Sequence, residues 1–148
     1  MRVLVLNGPN LGRLGRRQPE IYGHTTHTEL AERCVAWGRE LGLDVEVRQT
    51  NHEGVMIDWI QEVRHTADGV VINAGGWTHT SVAIRDALCN VEGTIVEVHI
   101  TDIHAREDFR RHSFISDVAD HVVVGHGVRG YVEAVDLVIS REGVPRHH

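Results

Sequence analysis

Glu97 and His99 stand two residues apart in the run Thr94-Ile95-Val96-Glu97-Val98-His99-Ile100, which otherwise reads as a core strand. Side chains alternate along a strand, so these two share one face while Val96, Val98 and Ile100 take the other. A carboxylate beside an imidazole fixes the ring tautomer and raises its basicity, which suits a general acid or base near neutral pH. Taken alone, the stretch reads equally well as a satisfied polar rung of the core. Other polar groups recur where apolar runs end: Asn7 and Asn10 after 3–6, Asn51-His52-Glu53 after 45–47, and Asn73 after 69–72.

The elements that must position them alternate along the chain. A first strand at 3–6 leads into a loop at 7–23 holding Gly12, Gly15, Pro19 and Gly23, long enough for a lid or binding loop. Thr26 with Glu29 three residues on is a capping-box signature, and Leu30, Cys34, Trp37 and Leu41 follow at helical spacing up to Gly42. A strand at 45–47 precedes a helix carrying Met56, Ile57, Trp59, Ile60 and Val63, and the continuous apolar run 69–72 marks a strand buried on both faces. The small-residue loop 74–81 feeds a helix at 82–91 capped by Thr80 or Ser81. The strand of Glu97 and His99 comes next, then a polar run at 101–116, a strand at 122–124 and a closing helix at 131–139.

Such alternation predicts an α/β fold of three layers, a parallel sheet of about five strands with helices on both faces. Ligands of these sheets bind beyond the carboxyl ends of the strands, where the asparagines and His99 converge. That convergence favours a site over scattered turn formers. With no linker or repeat, residues 1–148 read as one domain, with a frayed tail at about 141–148.

Composition narrows the possibilities. The 148 residues, 41% hydrophobic and 24% charged, are ordinary for a soluble globular chain, and no apolar run is long enough to span a membrane. Because residues 1–6 enter a strand without a cleavage-site pattern, a cytoplasmic protein is expected. A net charge of −6 argues against a nucleic-acid binder, despite the arginine clusters at 13, 16, 17 and 106, 110, 111. Cys34 and Cys89 lack the spacing of a disulfide framework or a thiolate zinc site. Although there are twelve histidines, His99 with His104 does not form a helical metal pair, so no metal is expected. Gly125-His126-Gly127-Val128-Arg129-Gly130 matches a dinucleotide fingerprint, but no strand remains to carry the acidic ribose partner, and a turn with close helix packing is favoured.

Read together, Asn7-Gly8-Pro9-Asn10-Leu11, Pro19-Glu20-Ile21-Tyr22-Gly23, Gln49-Thr50-Asn51-His52-Glu53-Gly54, Ile72-Asn73, Thr78-His79-Thr80-Ser81 through Asp86-Ala87, and Glu97-Val98-His99 with His104-Ala105-Arg106-Glu107 resemble the type II 3-dehydroquinate dehydratases. The match runs in order from Asn7 to about Tyr131. The resemblance implies a flavodoxin-like domain, usually a dodecamer built as a tetramer of trimers, that eliminates water from 3-dehydroquinate through an enolate with neither metal nor other cofactor. It assigns Tyr22 as the base at C2, with Arg17 holding it as phenolate. Asn10, through a water, would stabilise the enolate, His99 would protonate the leaving hydroxyl, and Glu97 would orient His99. Asn73, His79, Arg110 and the backbone at Ile100 and Thr101 would grip the substrate; Arg106 would close over it, and Asp86 would come from a neighbouring subunit.

Three departures from the family pattern stand out. Gln18 replaces the commoner Glu, Ala74-Gly75-Gly76-Trp77 replaces a loop with Pro and small residues and alters local rigidity, and Thr101 replaces Ser while keeping the hydroxyl. A rival of another class is a flavin- or phosphate-binding module at the same edge. Against it, the first loop lacks a Ser/Thr-rich phosphate cradle and aromatic residues are few. The same elimination would serve aromatic biosynthesis or quinate breakdown.

Overall fold

The computed structural model describes residues 1–16 and 18–140, and of Tyr22 the backbone alone; Arg17, the Tyr22 side chain and the expected frayed tail at 141–148 lie outside the described residues. Five strands, β1 (Arg2–Asn7), β2 (Asp44–Gln49), β3 (Gly69–Asn73), β4 (Thr94–His99) and β5 (His121–Val124), form one parallel sheet in the order β2-β1-β3-β4-β5. This is the flavodoxin-like order, and its chain reversal lies between β1 and β3. The helices are α1 (Pro19–Tyr22), α2 (His27–Glu40), α3 (Glu53–Val63), α4 (Val82–Leu88) and α5 (Arg129–Ile139). The predicted class and the five parallel strands are both present.

Alternation along the central strands splits the core in two. Val3, Val5, Val71, Val96 and Val98 pack with Leu30, Cys34, Ala134, Val135 and Val138 from α2 and α5. On the other face Leu4, Leu6, Val70, Ile72 and Ile95 meet Met56, Ile60, Ile84 and Leu88 from α3 and α4. Every residue of β3 and β4 is buried, whereas the edge strands β2 and β5 are partly exposed. Burying one such aliphatic side chain contributes about 1.5–3 kcal/mol, so the two layers hold the central strand ends in register.

Local chemistry sets the boundaries. Thr26 caps α2 by accepting the Glu29 N–H at 3.2 Å, and Ser81 caps α4 by accepting that of Ile84 at 3.0 Å. Helix α4 ends at Leu88 rather than 91, and the chain then brings Gly93 against the 67–68 backbone, where a Cβ would lie 2.5 Å from the Ala67 carbonyl oxygen. The expected loop at 7–23 contains structure of its own: a 3₁₀ turn at Leu11–Arg13 and α1, which starts on Pro19. Proline at a first helical position has φ already set and lacks only an N–H that the helix would leave unpaired. The polar run after β4 likewise holds two 3₁₀ turns, Ile103–Ala105 and Asp108–Arg110.

Candidate active site

Glu97 and His99 lie on the α3/α4 face of β4, with 1% and 5% of their surface exposed. A lone carboxylate buried this deeply would take up a proton. Here it meets three donors: His99 Nε2 lies 2.5 Å from Glu97 Oε2, the Ser113 hydroxyl donates to the same oxygen at 2.6 Å, and the Ser116 hydroxyl donates to Oε1. Burial pushes the Glu97 carboxyl up, but the His99 hydrogen bond and charge, with the two serine hydroxyls, outweigh it and hold the group below the usual carboxylate range. Because an ionised carboxylate only accepts, His99 Nε2 carries the proton of that bond. Its other ring nitrogen is left for the cavity that His99 lines.

That cavity, of about 160 Å³, opens at the carboxyl ends of β1, β3 and β4. Asn10, Asn73, His79 and His99 line it from the sheet side. Ile100, Thr101, Arg106 and Arg110 line it from β4 onward. Eight of the predicted site residues therefore meet in one place. Glu97 stands behind His99. Asp86 does not line this cavity; it sits on α4 with 65% of its side chain exposed, 3.3 Å from Arg85. Arg17 and the Tyr22 side chain lie outside the described residues.

The first strand loop is held by hydrogen bonds from β2. Asn10 has a left-handed backbone, φ 70°, which asparagine tolerates better than most residues. Its N–H donates to Asn51 Oδ1 at 2.9 Å, and Gln49 Nε2 donates to that oxygen and to the Gly8 carbonyl, each at 3.1 Å. Asn51 thus braces the site rather than lining it. At the adjoining loop a Cβ on Gly8 would lie 2.6 Å from the Ala74 carbonyl oxygen, and one on Gly75, at φ 59°, would lie 3.2 Å from Pro9. The departure at 74–77 is a packed turn: Ala74 is buried and Trp77 rests on the core.

His79 Nδ1–H donates to the His112 carbonyl at 2.7 Å, since a carbonyl can only accept. Burial lowers its pKa; the bond to His112 opposes this, and the charges of His99 and Arg110 add to the lowering. His79 is therefore neutral near pH 7, with Nε2 a hydrogen-bond acceptor. At the outer rim Glu107 lies 2.6 Å from Arg110 and 3.9 Å from Arg106, and the Arg110 guanidinium stands 4.9 Å over the Phe109 ring. The glycines of the fingerprint-like motif pin the end of β4: the N–H groups of Gly125 and Gly127 donate to the carbonyls of His99 and Ile100 at 3.2 and 3.0 Å.

Sequence reasoning did not find Ser113, Ser116 or the apolar wall of Leu11, Leu14 and Ile103. The only signal was a pair of serines three apart within the polar run, sixteen and nineteen residues from their partner. The assembled site offers a buried imidazole with an ionised anchor, a neutral acceptor, two amides and two guanidinium groups. It suits a small, anionic, hydroxyl-bearing molecule.

The chain's relatives fit this geometry. Residues 1–139 match the family model "Dehydroquinase class II". A 3-dehydroquinate dehydratase of Kineococcus radiotolerans is 52% identical, covering 95% of this chain and 97% of the relative, and one of Mycobacterium bovis is 50% identical, covering 95% and 96%. The crystal structure of a type II dehydroquinase from Propionibacterium acnes is 50% identical and superposes with a TM-score of 0.91, covering 94% of this chain and 96% of that one.

Proposed function

The chain belongs to the dehydroquinase class II family, and on that premise we propose that it dehydrates 3-dehydroquinate by an anti elimination in which His99, anchored by Glu97, is the general acid. The observation that carries this reading is the buried carboxylate held ionised by His99, Ser113 and Ser116 at the floor of the cavity. An anionic partner stabilises the imidazolium that must form before a hydroxyl can be protonated. It also prevents the ring from turning.

Tyr22 takes the C2 proton as a phenolate, and Arg17 favours that anion, because a phenol titrates near 10 and an adjacent guanidinium lowers it. These two roles rest on the family resemblance. Electrons from the broken C–H bond pass into the enolate, which Asn10 stabilises through a water. The C1–O bond then breaks as His99 delivers its proton, giving 3-dehydroshikimate and water. Tyr22 ends protonated and His99 neutral, so one proton must return between them before the next turnover. Arg110 and Arg106 take the substrate carboxylate; His79 Nε2, Asn73, Ile100 and Thr101 take its oxygens.

Residues 1–148 act as one catalytic domain without a bound cofactor or metal, in the cytoplasm and as a dodecamer, a tetramer of trimers. Asp86, exposed on α4 away from its own cavity, is offered to a neighbouring subunit in that assembly. Among the described residues no helix is long and apolar enough to cross a membrane. Incubating the purified chain with 3-dehydroquinate tests the reading: the conjugated enone's ultraviolet absorbance should grow, and an unchanged spectrum with clean substrate would overturn it.

A further inference from the structure

On the sheet face turned away from Glu97, β1 and β3 end in two buried asparagines in register, Asn7 beside Asn73. Tyr131 of α5, fully buried, joins them. Its hydroxyl lies 2.8 Å from Asn7 Oδ1 and 2.9 Å from Asn73 Nδ2. The series continues at both ends: Asn73 Oδ1 accepts the Gly75 N–H at 3.1 Å, and Asn7 Nδ2 lies 3.0 Å from His27 Nε2.

Donor and acceptor rules allow this arrangement one direction. A backbone N–H can only donate, so Asn73 must turn its oxygen to Gly75 and its nitrogen to Tyr131. Tyr131 therefore accepts from Asn73 and gives its single proton to Asn7 Oδ1. Asn7 then donates its own N–H to the lone pair of His27 Nε2. Burial supports both ends: it raises the Tyr131 phenol above its ordinary range, keeping the donor protonated, and lowers His27, keeping the acceptor neutral. Asn73 has two N–H groups, and only one is spent on Tyr131.

We propose that Tyr131 is a positioning residue for the reaction: through the series running back to Asn7 and His27 it locks the Asn73 amide with its second N–H toward the cavity, so that the site recognises an oxygen acceptor on the substrate there. This rests on the reading above that Asn73 touches the substrate. Without the phenol only the Gly75 N–H would hold the Asn73 amide, which could then tilt about that one bond and carry its second N–H out of line with the substrate oxygen.

A double-mutant cycle on dehydroquinate turnover tests this, with a thermal melt of each variant to confirm folding. Tyr131→Phe keeps the ring packing and removes the hydroxyl; it should raise KM about tenfold while kcat falls less than about threefold, the signature of lost uniform binding. Asn73→Ala should raise KM at least as much, and adding Tyr131→Phe to it should change KM by less than about twofold, because a residue acting through another is not additive with it. His27→Ala, at the half-buried start of α2, reaches the same network without opening the core and should raise KM about threefold, again only where Asn73 is present. Additive effects on KM, or an unchanged KM in folded Tyr131→Phe or His27→Ala, would overturn the relay. A silent Asn73→Ala would overturn both the Asn73 contact and the relay, which distinguishes the two failures.

Discussion

The floor and the rim of the cavity hold charge in opposite ways. At the floor, Glu97 and His99 have side-chain exposures of 1% and 6%, and the carboxylate is met by three donors. At the rim, Arg110 and Glu107 approach as closely, 2.6 Å, but with exposures of 27% and 54%. In the low-dielectric floor an unmatched charge costs several kcal/mol, so each partner is constrained and orientation is fixed before substrate arrives. At the rim water and salt screen the pair, so its contribution to stability is small. Short distance alone therefore says little about consequence. The floor is preorganised, and the rim holds its charges only weakly.

Substitutions should separate the two regions by size of effect. The largest is expected for His99→Ala, about a thousandfold loss of kcat with the fold retained, measured by enone absorbance and a melting curve. Glu97→Gln keeps the shape but removes the anion, and kcat should fall about a hundredfold, the usual scale for a group that orients a catalytic ligand.

That same variant should also separate floor from rim by pH. The folded-state pKa of Glu97 is depressed, so its ionisation stabilises the fold above the unfolded carboxylate value of about 4.3, and this is lost as pH falls through the lower folded-state pKa. Wild type should therefore lose melting temperature more steeply than Glu97→Gln between about pH 5 and 3; parallel curves would mean that Glu97 is not held ionised.

Ser113→Ala or Ser116→Ala should lower kcat by about tenfold, since a hydrogen bond to a charged group is worth about 1.5–3 kcal/mol and part of the loss reaches His99. Smallest is the rim. Glu107→Gln should alter kcat/KM within about twofold and become indistinguishable from wild type in high salt. A rim effect exceeding the serine effects would reverse the proposed order.

Much of this was legible in the residue pattern because alternation is strict in a buried parallel strand. Placing Glu97 and His99 on one face needed only period two, and the strand-end asparagines marked the edge where the cavity lies. The anchoring of Glu97 was not legible. Ser113 and Ser116 reach it across a segment of short 3₁₀ turns, whose path depends on tertiary packing rather than on any periodicity. Asn7 and Asn51 illustrate the same limit, for both were expected at the site edge. Asn7 instead faces Tyr131 beneath the sheet edge, and Asn51 secures the Asn10 backbone. A polar residue at a strand end announces the edge; which side of it the group serves is decided by partners far away in the chain.

In the proposed elimination the floor delivers a proton from His99. Turnover of 3-dehydroquinate by folded His99→Ala, with and without added imidazole, tests it most directly. Near-silence is expected without imidazole and partial recovery with it, declining as imidazolium is lost above about pH 7. Wild-type kcat in His99→Ala without any additive would contradict it.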